Sequence, residues 1–129
     1  MSETKGTTAK VRFAAITFDC ADPAEMGRFY AAVLDLPILW SSERTVALGH
    51  EGQQPFLAFT LVENYRPPSW PDDELPKQAH LELGVDDLDT AQAEIIALGA
   101  REAPLQAGPH RWRVLLDPAG HPFCINIAV

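Results

Sequence analysis

The sequence is poor in cysteine and in basic residues, and it has no long apolar run. Two cysteines in 129 residues are too few for a disulfide scaffold. Ten basic against eighteen acidic residues give a net charge of −8, which disfavours binding to nucleic acid and to anionic lipid. No apolar stretch approaches the roughly 20 residues that span a bilayer, and residues 1–10 lack the apolar core of a secretory signal. We therefore predict a cytoplasmic protein without nucleic-acid or membrane partners and with a disordered tail over residues 1–10.

The next 53 positions, residues 11–63, have the pattern of one strand, one helix and three strands. Residues 11–20 alternate, which is typical of a half-buried strand and places Cys20 on its core side. Asp22 and Pro23 are residues that begin a helix, and Pro37 prevents the helix from continuing far beyond Asp35. Three short strands follow, at about 38–42, 45–49 and 55–62.

Residues 64–77, the proline loop, interrupt this pattern. Four prolines in this segment exclude regular structure, and Trp70 lies among them. The loop is either a flexible linker or an ordered loop. We favour the ordered loop, because a large aromatic side chain in a proline-stiffened segment usually packs on something.

Residues 78–129 repeat the pattern of the first half. Residues 80–85 alternate, a helix over about 88–98 follows, and strands are predicted at about 101–103, 111–116 and 122–128. Asp86, Asp87 or Asp89 caps this helix, and Gly99 ends it. The repeat predicts an α+β fold in which two βαβββ modules (about 11–63 and 78–129) form cupped mixed sheets with helices on the outer side.

Alternation also predicts which side chains line the concave faces. A sheet face that only packs on a core is aliphatic, whereas this one carries polar groups, as ligand pockets do. Trp70 is either a lid over the pocket or an anchor of a dimer interface, and Trp112 is either a wall or core. The register of the fourth strand is open, with Ala58 or Thr60 facing the cup. The predicted ligand-binding residues are Thr17, Asp19, Thr60, Trp70, His80, Glu82, Trp112, Cys124 and Asn126.

Three of these residues carry reactive groups. His80 is either a ligand-binding or acid–base residue or a hydrogen-bonded structural histidine. Glu82 is either a general base or a solvated carboxylate. Cys124 is expected to be inert, because nothing beside it in the sequence lowers its pKa. His50, His110 and His121 lie near turns and are expected to be solvated.

The chain resembles the vicinal oxygen chelate superfamily, which contains glyoxalase I, bleomycin-resistance proteins and extradiol dioxygenases. Within that superfamily it looks most like the small bacterial glyoxalase-like domain proteins, whose last strand often carries Cys after Phe. The matching pieces span nearly the whole chain. They are Asp22, Phe29-Tyr30, Leu34-Asp35-Leu36, His80-Leu81-Glu82-Leu83, Val85-Asp86-Asp87-Leu88, Leu98-Gly99-Ala100 and Asp117-Pro118-Ala119-Gly120-His121-Pro122-Phe123.

The resemblance implies a homodimer with a ligand cup in each pair of modules. In the metal-dependent members, four side chains from the first and last strands of each module hold one divalent ion. Here the corresponding positions are Ala15, His80, Cys124 and a strand, 55–62, that contains no Asp, Glu, His or Cys. We therefore predict no bound metal, with His80 and Cys124 as the remaining family positions.

Two functions fit this reading. The first is a metal-free protein that binds or sequesters a small hydrophobic or aromatic compound. The second is a lyase, isomerase or dioxygenase of the glyoxalase type, either metal-independent, with His80 and Glu82 as candidate catalytic residues, or loaded with Zn, Ni, Mn or Fe. We favour binding, because without four ligands the family chemistry loses its electrophile.

Overall fold

The computed structural model describes residue 6 and residues 8–127, and within them each half folds as strand, helix and three strands. The predicted tail, residues 1–10, falls in part outside the described residues, and Ala128 lies wholly outside them. Neither helix in the described part of the chain is long and apolar enough to cross a membrane. The elements are β1 (Ala15–Cys20), α1 (Pro23–Leu34), β2 (Ile38–Ser41), β3 (Thr45–Leu48), β4 (Phe56–Leu61), β5 (Glu82–Gly84), α2 (Leu88–Ala97), β6 (Arg101–Glu102), β7 (Trp112–Leu116) and β8 (Pro122–Asn126).

The strands form two four-stranded mixed sheets. The first sheet has the order β1-β4-β3-β2 and the second has the order β5-β8-β7-β6. In each sheet the first strand of the module pairs in parallel with its last strand, and the other pairs are antiparallel. The predicted α+β fold of two βαβββ modules is confirmed, and the sheets are not closed into a barrel.

Both helices begin at an aspartate that caps free backbone amides. The Asp22 carboxylate accepts a hydrogen bond from the Glu25 amide at 3.1 Å, and the Asp87 carboxylate accepts one from the Thr90 amide at 3.0 Å. Asp87 is therefore the cap among the three candidates in the second module. The first helix ends at Asp35, which takes a left-handed conformation with a φ of 52°.

One apolar core joins the two modules. The ring of Tyr30 on α1 stacks on Phe59 of the first sheet, with 5.3 Å between ring centroids and 7° between planes. The same ring meets Phe123 of the second sheet edge-on at 6.0 Å. Cys20 lies in this core, as predicted, and is fully buried. Since α1 contacts both sheets, the two modules share the residues that stabilise them.

Two strands, β1 and β5, are shorter than predicted by three or more residues. The first begins at Ala15 and not at residue 11, and Val11 and Phe13 are 77% and 62% exposed. The fifth pairs with β8 over only three residues, Glu82 to Gly84. Alternation identified the faces of both strands, but the strand ends depend on where a partner strand is available.

Candidate functional site

Three reactive side chains meet on one face of the second sheet. His80 Nε2 and Glu82 Oε2 lie 2.5 Å apart, and Glu82 stands opposite Cys124 in the register of β5 and β8. One ligand atom from each of the three residues falls within 4.8 Å of the others. The side chains of His80 and Glu82 are 33% and 46% exposed, whereas Cys124 is buried. This arrangement places a solvent-accessible hydrogen-bonded pair beside a buried thiol.

The thiol of Cys124 is protonated at neutral pH. Burial raises its pKa to about 11, and the nearby carboxylate of Glu82 acts in the same direction. A thiol with so high a pKa has little nucleophilic thiolate. The structure thus supports the expectation that Cys124 is inert.

Apolar side chains fill the same face beyond this cluster. Ala103 and Val114 are buried with Cys124, and Trp112 and Leu116 pack beside them. Trp112 stands opposite Asn126 in the register of β7 and β8, so both predicted residues lie on this face. A methyl group placed on Gly108 would come within 2.7 Å of the indole nitrogen of Trp112, so the backbone of that loop lies directly against the ring. We call the surface made by His80, Glu82, Cys124, Val114 and Trp112 the second-sheet face.

Trp70 of the proline loop packs on the second-sheet face, against its buried apolar residues. The ammonium of Lys77 lies over the indole, 4.1 Å from the ring centroid. The indole nitrogen is buried, and it has no hydrogen-bond partner among the described residues. The side chain that the sequence suggested as a lid or an interface anchor therefore covers the apolar part of this face.

The proline loop has neither helix nor strand, and its hydrogen bonds fix its shape. Ser69 closes its tip, because its amide donates to the Leu75 carbonyl at 2.7 Å and its hydroxyl accepts from the Leu75 amide at 2.9 Å. Tyr65 holds its base by donating to the Ala119 carbonyl at 2.9 Å. Asn64 and Gln78, at the two ends, adopt left-handed backbone with φ values of 58° and 62°.

The remaining predicted residues lie on the first sheet. Asp19 stands opposite Thr60, and Thr17 stands opposite Ala58, so all four share one face and the register left open by the sequence is settled. Thr60 Oγ1 lies 3.0 Å from Thr45 Oγ1 and donates to the Arg44 carbonyl. Thr60 is thus engaged within its own sheet.

Two clefts flank the proline loop. Thr17 and Asp19 line one of about 470 Å³, together with Tyr65 and Lys77. His80 lines another of about 540 Å³, against the loop residues Asp72, Asp73 and Lys77 among others. The structure therefore brings Trp70, His80, Glu82, Trp112, Cys124 and Asn126 together, and places Thr17, Asp19 and Thr60 on the first sheet.

His121, which the sequence suggested as a solvated histidine, is half-buried and its ring is engaged. Its Nε2 lies 2.7 Å from the Asp19 carbonyl and 3.2 Å from the Tyr65 hydroxyl, and its ring meets Phe18 edge-on at 5.4 Å. The turn that carries His121 was visible in the sequence. Its partner Asp19 lies 102 positions away, and no local pattern indicates such a contact.

Asp117 is a buried carboxyl that the sequence indicated only as the first residue of a piece resembling the family. It is 1% exposed, and its Oδ2 accepts a hydrogen bond from the Tyr30 hydroxyl at 2.6 Å. Its Oδ1 accepts from the amides of Ala119 and His121 at 3.0 and 2.9 Å. Burial raises its pKa above the ordinary value, while these donors act against the shift. Asp117 thus connects the helix of one module to the β7–β8 turn of the other.

The residues present do not supply the four-ligand metal site of the metal-dependent relatives. His80, Glu82 and Cys124 offer three donors, but Ala15 and the strand Phe56–Leu61 offer no imidazole, thiolate or carboxylate. His80 and Glu82 are also closer together, at 2.5 Å, than the roughly 3.3 Å that separates two ligands of a tetrahedral ion. Their geometry is that of a hydrogen bond.

Solved structures of known proteins share this fold. A fosfomycin resistance protein from Mesorhizobium loti aligns with a TM-score of 0.65 at 21% identity, over 94% of each chain. A glyoxalase-related enzyme from Fulvimarina pelagi gives 0.64 at 21% identity, over 89% of this chain and 86% of that one. A bleomycin-binding protein from Streptomyces verticillus, solved with copper(II)-bleomycin, gives 0.55 at 14% identity, over 92% and 98%.

No curated protein matches the chain. The sequence does match one family model. The model of the glyoxalase-like domain matches residues 15–126, which run from the first residue of β1 to the last residue of β8. The fold, with its two βαβββ modules, is that of the vicinal oxygen chelate superfamily. The match covers nearly the whole chain, and the protein therefore belongs to the glyoxalase-like domain family.

Proposed function

We propose that this protein binds or sequesters a small hydrophobic or aromatic molecule on the second-sheet face, without a metal ion. One observation carries the proposal: the apolar side chains of Val114, Trp112 and Leu116, which Trp70 covers, share one sheet face with the exposed His80–Glu82 pair. Ligand sites combine apolar walls with a few polar groups that fix the orientation of the ligand. The related fold of the bleomycin-binding protein supports a binding role by analogy.

The aromatic part and the polar part of the second-sheet face would contribute to ligand binding in different ways. Trp112 offers an aromatic surface that adds stacking to the burial of apolar area. The His80–Glu82 pair offers a donor and an acceptor at the edge of that surface, where a polar substituent of the ligand would lie. A hydrogen bond of this kind contributes about 1 kcal/mol.

We expect His80→Ala and Trp112→Ala each to weaken binding about tenfold, since 1.4 kcal/mol corresponds to a factor of ten. A thermal-shift screen against aromatic antibiotics, dicarbonyls and catechols would find a ligand, and calorimetry would give its Kd for each variant. His50→Ala is the matched control, because His50 is an exposed histidine outside this face. Unchanged affinity in His80→Ala, together with unfolding of Trp112→Ala, would mean that both residues are structural.

A second function is favoured by the same pair. A histidine hydrogen-bonded to a carboxylate, with 2.5 Å between the two atoms, has the geometry of a general acid–base couple. The protein would then be a metal-independent lyase or isomerase of the superfamily, with His80 moving the proton and Glu82 orienting the ring. Glu82→Gln separates the two functions, because it would abolish turnover of a dicarbonyl while changing the Kd of a bound aromatic only a few-fold.

Metal analysis tests the metal-free part of the proposal. We expect well under one equivalent of Zn, Ni, Mn or Fe after purification without a metal-affinity tag, because the family positions of the first module, Ala15 and the strand Phe56–Leu61, supply no ligand to complete the site. A stoichiometric ion that only a chelator removes, and that His80→Ala loses, would instead assign His80, Glu82 and Cys124 as its ligands.

We also propose that the protein works as a cytoplasmic homodimer. On the edge strand β2, Ile38 and Trp40 are 52% and 50% exposed, and such apolar edges are usually covered in solution. Sedimentation at micromolar concentration distinguishes a dimer from a stable monomer of 14.2 kDa.

A further inference from the structure

The indole of Trp70 occupies the apolar part of the second-sheet face. It packs on Ala103, Val114 and Cys124, which are 3%, 1% and 8% exposed. Its nitrogen is buried without an acceptor among the described residues. A buried donor that lacks an acceptor destabilises the state in which it is found. The covered state of the face is therefore held by packing and by Lys77, and it carries an unfavourable polar contribution.

The hydrogen bonds of the loop tip are internal. Ser69 bonds to Leu75 and to the Asp72 carbonyl, and Asp72 bonds to the Glu74 amide. Lys77, whose ammonium lies over the indole, belongs to the same segment. The tip can thus leave the second-sheet face together with Trp70 and Lys77, without breaking a hydrogen bond to the sheet that the structure shows.

The charges around the face limit what can replace the indole. With the tip displaced, Glu82 is the carboxylate at the edge of the face, and its hydrogen-bond partner His80 lies beside it. Lys77, Asp72 and Asp73 belong to the segment that moves away with Trp70, so the charges that stay are Glu82 and the overall net charge of −8. Both disfavour an anionic ligand.

We propose that Trp70 is a displaceable stopper, and that the ligand of this face is a planar bicyclic aromatic molecule without negative charge that takes the place of the indole. The size follows from the occupant, since an indole is a fused two-ring system that fills the space above Val114 and Cys124. The inference rests on the proposed binding function and adds the class of ligand and the mode of entry.

The test uses the full chain and the probe 2-naphthol, with 2-naphthoate as its anionic counterpart. The sequence has three tryptophans, so ¹⁵N-indole labelling gives three N–H signals that single Trp→Phe variants assign. We expect 2-naphthol to shift the Trp70 signal and to expose its N–H to exchange with solvent, while the Trp40 signal stays in place. We expect 2-naphthoate to bind at least tenfold more weakly.

Substitution at Trp70 provides the second readout. A stopper competes with the ligand, so Trp70→Ala should tighten 2-naphthol binding about tenfold, whereas Trp40→Ala, at a 50% exposed tryptophan, should leave the Kd unchanged. If Trp70→Ala does not fold, Trp70→Phe decides, with an expected tightening of two- to threefold because its single ring fills less of the site.

Several results would overturn the inference. Weaker binding by folded Trp70→Ala would make Trp70 a wall of the site. Binding by wild type without movement of the Trp70 signal would place the ligand elsewhere. Binding by Trp70→Ala alone would be the filling of an engineered cavity. If wild type and both Trp70 variants fold but bind neither probe nor any compound of the thermal-shift screen, the proposed function fails together with the inference.

Discussion

Asp117→Ala should destabilise the protein by about 3–5 kcal/mol and lower its Tm by roughly 10–20 °C. The substitution removes the acceptor of the Tyr30 hydroxyl and of two backbone amides. Because Asp117 is buried, water does not replace the lost acceptor. Each buried donor left without a partner costs about 1–3 kcal/mol. Urea unfolding at pH 7 measures the effect.

Two controls accompany this prediction. Asp73→Ala removes an exposed carboxylate and should change the free energy of unfolding by less than about 0.5 kcal/mol. Asp117→Asn keeps an oxygen for the two amides and should cost less than Asp117→Ala. A loss below about 1 kcal/mol in Asp117→Ala would show that the β7–β8 turn holds the second module to α1 without this carboxyl.

The comparison of wild type with Asp117→Asn also predicts a dependence on pH. Burial raises the pKa of the Asp117 carboxyl above its ordinary value of 3.8, so the folded state holds this proton to a higher pH than the unfolded state does. The contribution of the group to stability is then fully present below pH 3.8 and falls as pH rises through the folded-state pKa. Asparagine does not titrate, so the stability difference between wild type and Asp117→Asn should shift in favour of the variant from pH 4 upward. An equal difference at every pH would contradict the raised pKa.

Phe59→Ala should cost about 3–5 kcal/mol, because it empties the centre of the shared core. Phe59 is fully buried and stacks on Tyr30, which in turn contacts Phe123 of the other module. Phe13→Ala is the matched control, since Phe13 is 62% exposed and its loss should change stability by less than about 0.5 kcal/mol.

The number of thermal unfolding transitions of Phe59→Ala tells whether the two modules unfold together. If the two modules share one core, the variant should still unfold in a single calorimetric transition at a lower temperature. A second transition at the wild-type temperature would mean that the second module folds independently of the first.

The sequence predicted the fold well because the fold depends on local signals. The aspartates at 22 and 87 and the alternating strands before them are visible within ten residues, and the structure has helices and strands where they indicate. Strand ends were less accurate, as at β1, where the predicted strand includes Val11 and Phe13 but the observed strand begins at Ala15 and leaves both of them exposed.

The candidate site was predicted in part. Period-two alternation placed His80 with Glu82, and Cys124 with Asn126. The sequence also suggested Trp70 and Trp112 for this pocket, but it left open whether Trp70 is a lid or an interface anchor and whether Trp112 is wall or core. The contacts of Asp117 with Tyr30 and of His121 with Asp19 join residues 87 and 102 positions apart. Contacts of that range depend on how the two sheets pack, which no short pattern records.

The shared core also makes this chain suited to fragment complementation. A break in the proline loop leaves two pieces, each with one sheet and one helix. Neither closes the apolar core alone, because the contacts of Tyr30 and Phe29 with Phe123 cross between them. Trypsin has one suitable site there, after Lys77, since Pro67 follows Arg66 and blocks the other. The two half-length peptides should be unstructured when separate and should acquire the circular dichroism spectrum of the whole protein only when they are mixed. The covalent link between the halves would then serve to bring them together, and the folded structure itself would not need it.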